Sequence, residues 1–176
     1  MRTTAKRLTK AEMRALVEGF AEALNAHDLQ AVASRLADDV VWTHPFTVEP
    51  LLGKAAVMAD LAATYRSFPD LHAPLEDAVV YLADDHAGAV MTWTMVGTMT
   101  GDSPFDFAPR GTVMRIRGMG RFGFRDGLIA SYEMVYDGLD FARQLGIMPG
   151  EKSLTLKALI ELQRWTAKAR KAMRLG

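Results

Sequence analysis

The 176-residue chain contains no cysteine, so disulfides, thiolate nucleophiles and cysteine-ligated metals are excluded together. Nor does any apolar run approach the ~18 residues of a membrane span. The charged opening, Met1-Arg-Thr-Thr-Ala-Lys-Arg-Leu-Thr-Lys10, lacks the apolar core of a secretory signal. A cytoplasmic protein without a membrane partner is therefore expected. The four histidines, at 27, 44, 72 and 86, are too scattered for metal-ligand spacing. Gly118-Met-Gly120 is not a phosphate-binding glycine loop. Neither a metal nor an organic cofactor is expected.

Net charge is absent as well, with 21 basic and 21 acidic residues, but their distribution is uneven. Residues 1–10 and 151–176 hold eleven of the bases and two of the acids. The body, 11–150, has ten bases against nineteen acids, a formal charge of −9. Basic ends can signal nucleic acid. Here no aromatic-basic interleaving or nucleic-acid motif accompanies them, so packing against an acidic body, their own or a partner's, is the expectation.

What is present suits one globular domain, with 49% hydrophobic residues and enough chain for a sizeable core. Three parts are expected: a basic tail over 1–10, a domain over 11–149 and a basic amphipathic helix over 150–176. Met13, Leu16, Val17, Phe20 and Leu24 recur at helical spacing over 10–26. Asp28 can cap a second helix, 29–37, with His27 as a solvated turn residue between the two. A third helix is predicted over 54–67 and ends at Phe68-Pro-Asp70.

The period then changes from 3.6 to 2. Strands are predicted over 71–82 and 87–100 around a polar turn containing His86, with His72 at a solvent-facing edge. Two more, 112–125 and 128–136, flank the strong turn signal Arg125-Asp-Gly127. The loop 101–111 is aromatic: Phe105 and Phe107 either close over a pocket mouth or anchor on its rim. A short helix lies between Asp137 and Gly146. In the last helix Leu159, Leu162, Thr166, Ala169 and Met173 form a seam beside Trp165, read as docking onto the body or a sister subunit. Helices toward the front and long antiparallel strands toward the back make an α+β domain. A sheet curled round the helices leaves a conical cavity, a natural small-molecule site.

The stretch Leu36 to Gly53 delivers a histidine to that cavity. Strand alternation in Val40-Val-Trp-Thr-His44 puts Val40, Trp42 and His44 on one face, and Pro45 turns the chain immediately after.

Several motifs resemble the nuclear transport factor 2-like superfamily, in its SnoaL-like polyketide cyclase and ketosteroid isomerase branches. Ala23-Leu-Asn-Ala-His-Asp-Leu-Gln-Ala31, running to Leu36-Ala-Asp-Asp-Val40, matches the family's first two helices. His44-Pro45, Glu49-Pro50 and Gly53 match the isomerase loop where Asp-Pro, Glu-Pro and Gly recur with the same spacing. Val135-Tyr-Asp137 with Arg143-Gln-Leu-Gly146 resembles the usual SnoaL-like ending. The resemblance spans roughly residues 11–149 and implies a cone-shaped, curved antiparallel sheet wrapped around N-terminal helices, with the final helix an addition.

It also implies that the isomerase's general base falls on His44, its oxyanion Tyr on Phe20 and its oxyanion Asp on Gly120. The SnoaL-like catalytic Asp falls on Met134. Histidine, with an ordinary pKa of ~6.5, suits proton transfer near neutrality. An enolate in the isomerase position loses both usual donors, which argues against steroid isomerisation.

On this alignment Met114, Ile116, Gly118, Gly120, Phe122 and Phe124 face inward, with Tyr132, Met134 and Tyr136 beside them. Arg115, Arg117 and Arg121 face outward, on a convex surface expected to carry Trp93 or its neighbours. Gly118 and Gly120 make room for a ligand or for sheet curvature. Glu133 points away unless the strand slips by one residue.

The expected function is acid–base chemistry on a hydrophobic aromatic or polycyclic molecule: aldol or retro-aldol cyclase or lyase, dehydratase or isomerase. His44 transfers the proton, and Tyr132 or Tyr136 hydrogen-bonds an oxygen. Phe20, Trp42, Phe46, Phe105, Asp106, Ile116, Gly120, Phe122 and Met134 bind substrate. The alternative is a non-catalytic binding or interaction module of the same fold. A homodimer without nucleic acid is expected.

Overall fold

Thr9 opens the first helix with a reciprocal cap. Its hydroxyl accepts the Glu12 N–H at 3.2 Å, while the Glu12 carboxylate accepts the Thr9 N–H at 2.8 Å. The computed structural model describes residues 7–47, 49–84, 88–101, 108, 111–150 and 152–173. Helix α1 (Lys10–Asn25) buries Met13, Val17 and Phe20. The chain then turns at His27, whose φ is +53°. Asp28 caps α2 (Leu29–Arg35) by accepting the Ala31 N–H at 2.9 Å.

Helix α2 stops two residues short of its predicted end and strand β1 (Leu36–Thr43) begins at Leu36, because Leu36 pairs with Ile129 in the sheet. A two-residue strand, β2 (Leu51–Leu52), precedes α3 (Gly53–Ser67). Then follow β3 (Val79–Leu82), β4 (Gly88–Met99), β5 (Thr112–Arg125), β6 (Leu128–Tyr136), α4 (Gly138–Gln144) and α5 (Leu154–Met173).

The six strands form one sheet in the order β2-β1-β6-β5-β4-β3. Every pairing is antiparallel except β1 with β6, which is parallel. The predicted β5–β6 turn forms at Asp126 and Gly127, both with positive φ. Met114, Ile116 and Phe122 are buried on one face, and Arg115, Arg117 and Arg121 are exposed on the other. Glu133 also points outward, 2.7 Å from the Arg121 guanidinium, so the register carries no one-residue slip.

Three expectations are corrected. The strand predicted over 71–82 is confined to Val79–Leu82. Pro74 has no N–H to give a ladder, and the Asn25 side chain takes both backbone groups of Ala73, at 2.8 Å each. His72 makes a single bridge to Val96 and is exposed. Before it, Asp70 accepts the Thr98 N–H and hydroxyl, both at 2.6 Å, which hold its carboxyl below the usual range.

His27 is not solvated. Its ring stacks on Tyr65 with centroids 3.9 Å apart, and its Nε2 lies 2.7 Å from the Leu71 carbonyl. The Tyr65 hydroxyl donates to the Leu24 carbonyl at 3.0 Å, so this pair ties the α1–α2 turn to α3 and the following segment. Trp93 lies on the concave face, 7% exposed, rather than on the convex one.

In α5, Leu154, Leu159, Leu162 and Trp165 are exposed, the last at 69%, so the first half of the seam is uncovered on this chain. Among the described residues no helix is long and apolar enough to cross a membrane. The His86 turn and the first six residues lie outside the described residues.

Candidate functional site

Two buried clusters leave a cavity between them. Phe20, Trp42, Phe122 and Tyr132 belong to one, and Phe68, Trp93, Met114 and Ile116 to the other. The cavity measures about 190 Å³ and its wall is mostly apolar. Tyr132 sits in an aromatic box, with ring centroids 4.4 Å from Trp42, 4.8 Å from Phe122 and 5.6 Å from Phe20. Toward the mouth, Phe46 packs 4.7 Å from Phe141 and 6.4 Å from Tyr136.

His44 follows the last residue of β1, on the face shared by Val40 and Trp42. A turn fixes it: the Thr47 N–H and hydroxyl both donate to the His44 carbonyl at 3.1 Å. Within the same turn the Phe46 N–H donates to His44 Nδ1 at 3.3 Å. A nitrogen that accepts an N–H carries no proton, so the neutral ring bears its proton on Nε2. That nitrogen is buried, has no well-aligned hydrogen bond, and faces Asp60 Oδ2 at 3.4 Å. The two side chains are 12% and 27% exposed, so the contact is partly screened from water.

Asp60 was not anticipated from the sequence. It lies on α3 in the stripe Val57-Asp60-Leu61-Thr64, whose 3-and-4 spacing points one helix face inward. An acid set within an apolar stripe is the signal that identifies it. Tyr136 completes this pole. Burial first, and then the Asp60 charge, push its phenol above the usual range. It therefore remains an O–H donor at neutral pH. Burial does the same to Tyr132, partly offset by the Trp93 N–H.

Of the residues predicted from sequence, Phe20, Trp42, His44, Phe46, Ile116, Phe122, Tyr132, Met134 and Tyr136 all line the cavity. Gly120 does not. The space above it is filled by the Tyr132 ring, since a Cβ there would stand 2.6 Å from the Tyr132 hydroxyl. Phe105 and Asp106, with the proposed lid, lie outside the described residues. Among the described residues, no three of His, Asp or Glu gather to hold a metal ion.

A curved α+β cone that holds an aromatic pocket with one His–Asp pole defines the class of protein. The SnoaL-like domain profile matches residues 17–132, and the chain belongs to that family. A Pseudomonas putida protein assigned as a polyketide cyclase superposes with a TM-score of 0.67 at 25% identity, over 74% of this chain and 95% of that one. TsrD from Streptomyces laurentii gives 0.65 at 26% identity, over 80% and 99%. A Xanthomonas campestris protein, also assigned as a polyketide cyclase, gives 0.68 at 23% identity, over 77% and 98%, a likeness of fold alone. No curated protein matches the chain.

Proposed function

We propose that this protein is an acid–base enzyme acting on a hydrophobic aromatic or polycyclic carbonyl compound held in the cone. The observation that carries the reading is the His44–Asp60 pair, a polar pole in a cavity otherwise walled by aromatic and aliphatic side chains. Aldol and retro-aldol reactions, dehydration of a β-hydroxy ketone and ketone isomerisation all pass through an enol or enolate. Each calls for one group to move a proton and another to hold the oxygen.

His44 and Asp60 act as one proton-transfer unit. With Nδ1 taken by the Phe46 N–H, neutral His44 offers its Nε2 proton toward Asp60. The Asp60 carboxylate accepts the proton from the carbon next to the carbonyl. The C–H electron pair becomes the enolate, and His44 holds the carboxylate in place. The contact measures 3.4 Å, and catalytic contacts of this kind tighten when substrate binds. Tyr132 and Tyr136, both kept protonated, are O–H donors for the oxygen. The likeness to the Pseudomonas putida protein assigned as a polyketide cyclase supports this substrate class.

The test is a turnover screen of bicyclic ketones and β-hydroxy ketones with wild type, His44→Ala and Asp60→Asn, each checked for folding. Turnover by wild type that falls about 10²-fold or more in both variants supports the reading. Turnover that survives both substitutions overturns it.

A further inference from the structure

Helix α5 carries an apolar stripe that the rest of the chain leaves uncovered. Leu154, Ala158, Leu162 and Trp165 recur at spacings of four, four and three, with Leu159 beside them. All five are exposed, Leu154 at 81%. Every residue from Leu159 to Trp165 is in fact exposed, so over about two turns no side of the helix rests on the body. Helices in proteins draw most of their stability from packing an amphipathic face, and a contiguous exposed apolar stripe marks an interaction surface.

Charge selects the partner. Over α5 five bases, Lys157, Arg164, Lys168, Arg170 and Lys171, stand against one acid, Glu161, which is itself 2.6 Å from Arg164. Lys157, Arg164, Lys168 and Lys171 recur at seven, four and three, a stripe separate from the apolar one. A second α5 brings the same charge and is repelled. On the body, the exposed apolar residues Val113, Met119 and Val135 lie on the convex face among Arg115, Arg117 and Arg121, which is basic again. Exposed Val41 and Leu52 pair across β1 and β2, but the acids nearby are already paired, Asp38 with Lys54 at 2.9 Å and Asp39 with Arg125. Neither patch joins apolar surface to unpaired negative charge. An anionic lipid surface does, with acyl chains for the stripe, phosphates for the bases and a boundary suited to a tryptophan.

We infer that α5 is an interfacial anchor, which lays Leu154, Leu162 and Trp165 into an anionic lipid surface with its bases against the headgroup phosphates. The expectation of a protein without a membrane partner rested on the lack of a spanning run, and a helix lying in the interface needs none. The anchor is independent of the acid–base reading, since no cavity residue takes part in it.

The test uses the full chain with vesicles of phosphatidylcholine, alone or mixed equally with phosphatidylglycerol, and reads flotation and tryptophan emission. Trp42 and Trp93 are buried, so a blue shift on adding lipid reports Trp165. Binding to the mixed vesicles is expected at least about tenfold above phosphatidylcholine, with a blue shift, and should weaken as salt is raised. Leu162→Glu, and Lys157→Glu combined with Arg164→Glu, should each cut binding about tenfold or more. These side chains are exposed, so the fold is kept. Trp165→Phe should keep the binding and lose the shift. Equal binding to both vesicles, binding to neither, or binding that both charge-altering variants retain would overturn the anchor. Self-association that buries Trp165 without lipid, seen by sedimentation and emission, would overturn it too, because a second copy would then cover the stripe.

Discussion

His44 accepts the Phe46 N–H on Nδ1 at 3.3 Å and turns Nε2 to Asp60 Oδ2, 3.4 Å away. The first contact selects the tautomer, and the second gives its proton a destination. A histidine that served only to fill the core would not need a carboxylate brought to it from another element. An acid set in an otherwise apolar wall is the mark of a group kept for chemistry.

That placement yields the first prediction. Asp60→Leu should raise stability by about 0.5–2 kcal/mol while abolishing turnover, the usual result of removing a polar group from a functional pocket. Thermal unfolding of the variant beside wild type checks it. A clear loss of stability would make the His44–Asp60 contact structural.

The tyrosines give a pH dependence. Burial pushes the Tyr65 phenol up to about 12, and Tyr132 and Tyr136 lie higher still, the last also raised by Asp60. Unfolded phenols ionise near 10. With folded values above unfolded ones, stability is full below about pH 10 and is lost as pH rises through 10 toward 12. Ultraviolet titration should find these three ionising only as the chain unfolds. Ionisation of all three near pH 10 with the fold intact would contradict the burial described.

Gly118→Ala probes the packing of the Trp93 ring on the concave face. Its Cβ would lie 2.5 Å from the Val135 carbonyl oxygen as well as against Trp93, so both strand and ring must move. A loss of about 1–3 kcal/mol is expected from such overpacking, with the Trp93 indole resonance displaced. Chemical denaturation reads the first and NMR the second, and a neutral substitution would mean that the Trp93 ring does not lean over Gly118.

Much of this was legible in the sequence, for physical reasons that differ along the chain. In β5 and β6 polar and apolar residues alternate, from Met114-Arg115-Ile116-Arg117 through Tyr132-Glu133-Met134, so the inward face follows from period alone. His44 was legible through Trp42 and Val40 for the same reason. In β4, Val90-Met-Thr-Trp-Thr-Met-Val96 has no strongly polar side to oppose an apolar one, so its period does not decide between Trp93 and its neighbours for the convex face, and the fold gives that face to the neighbours. Asp60 needed the stripe around it to be read as a pocket wall rather than a solvated helix side. His27 was read as a turn residue because nothing nearby in sequence announces Tyr65 or Leu71, which reach it only through the fold. The segment 71–78 looked extended, and it is held instead by Asn25 from α1.

The central claim is that the His44–Asp60 pole removes a proton from carbon, and isotope exchange tests it most directly. The protein is incubated with 2-tetralone in D₂O, and loss of the protons beside the carbonyl is followed by ¹H NMR. The account predicts exchange well above the buffer rate, reduced by about 10²-fold or more in both Asp60→Asn and His44→Ala. Exchange at the buffer rate with 2-tetralone bound, or undiminished exchange in both variants, would contradict it.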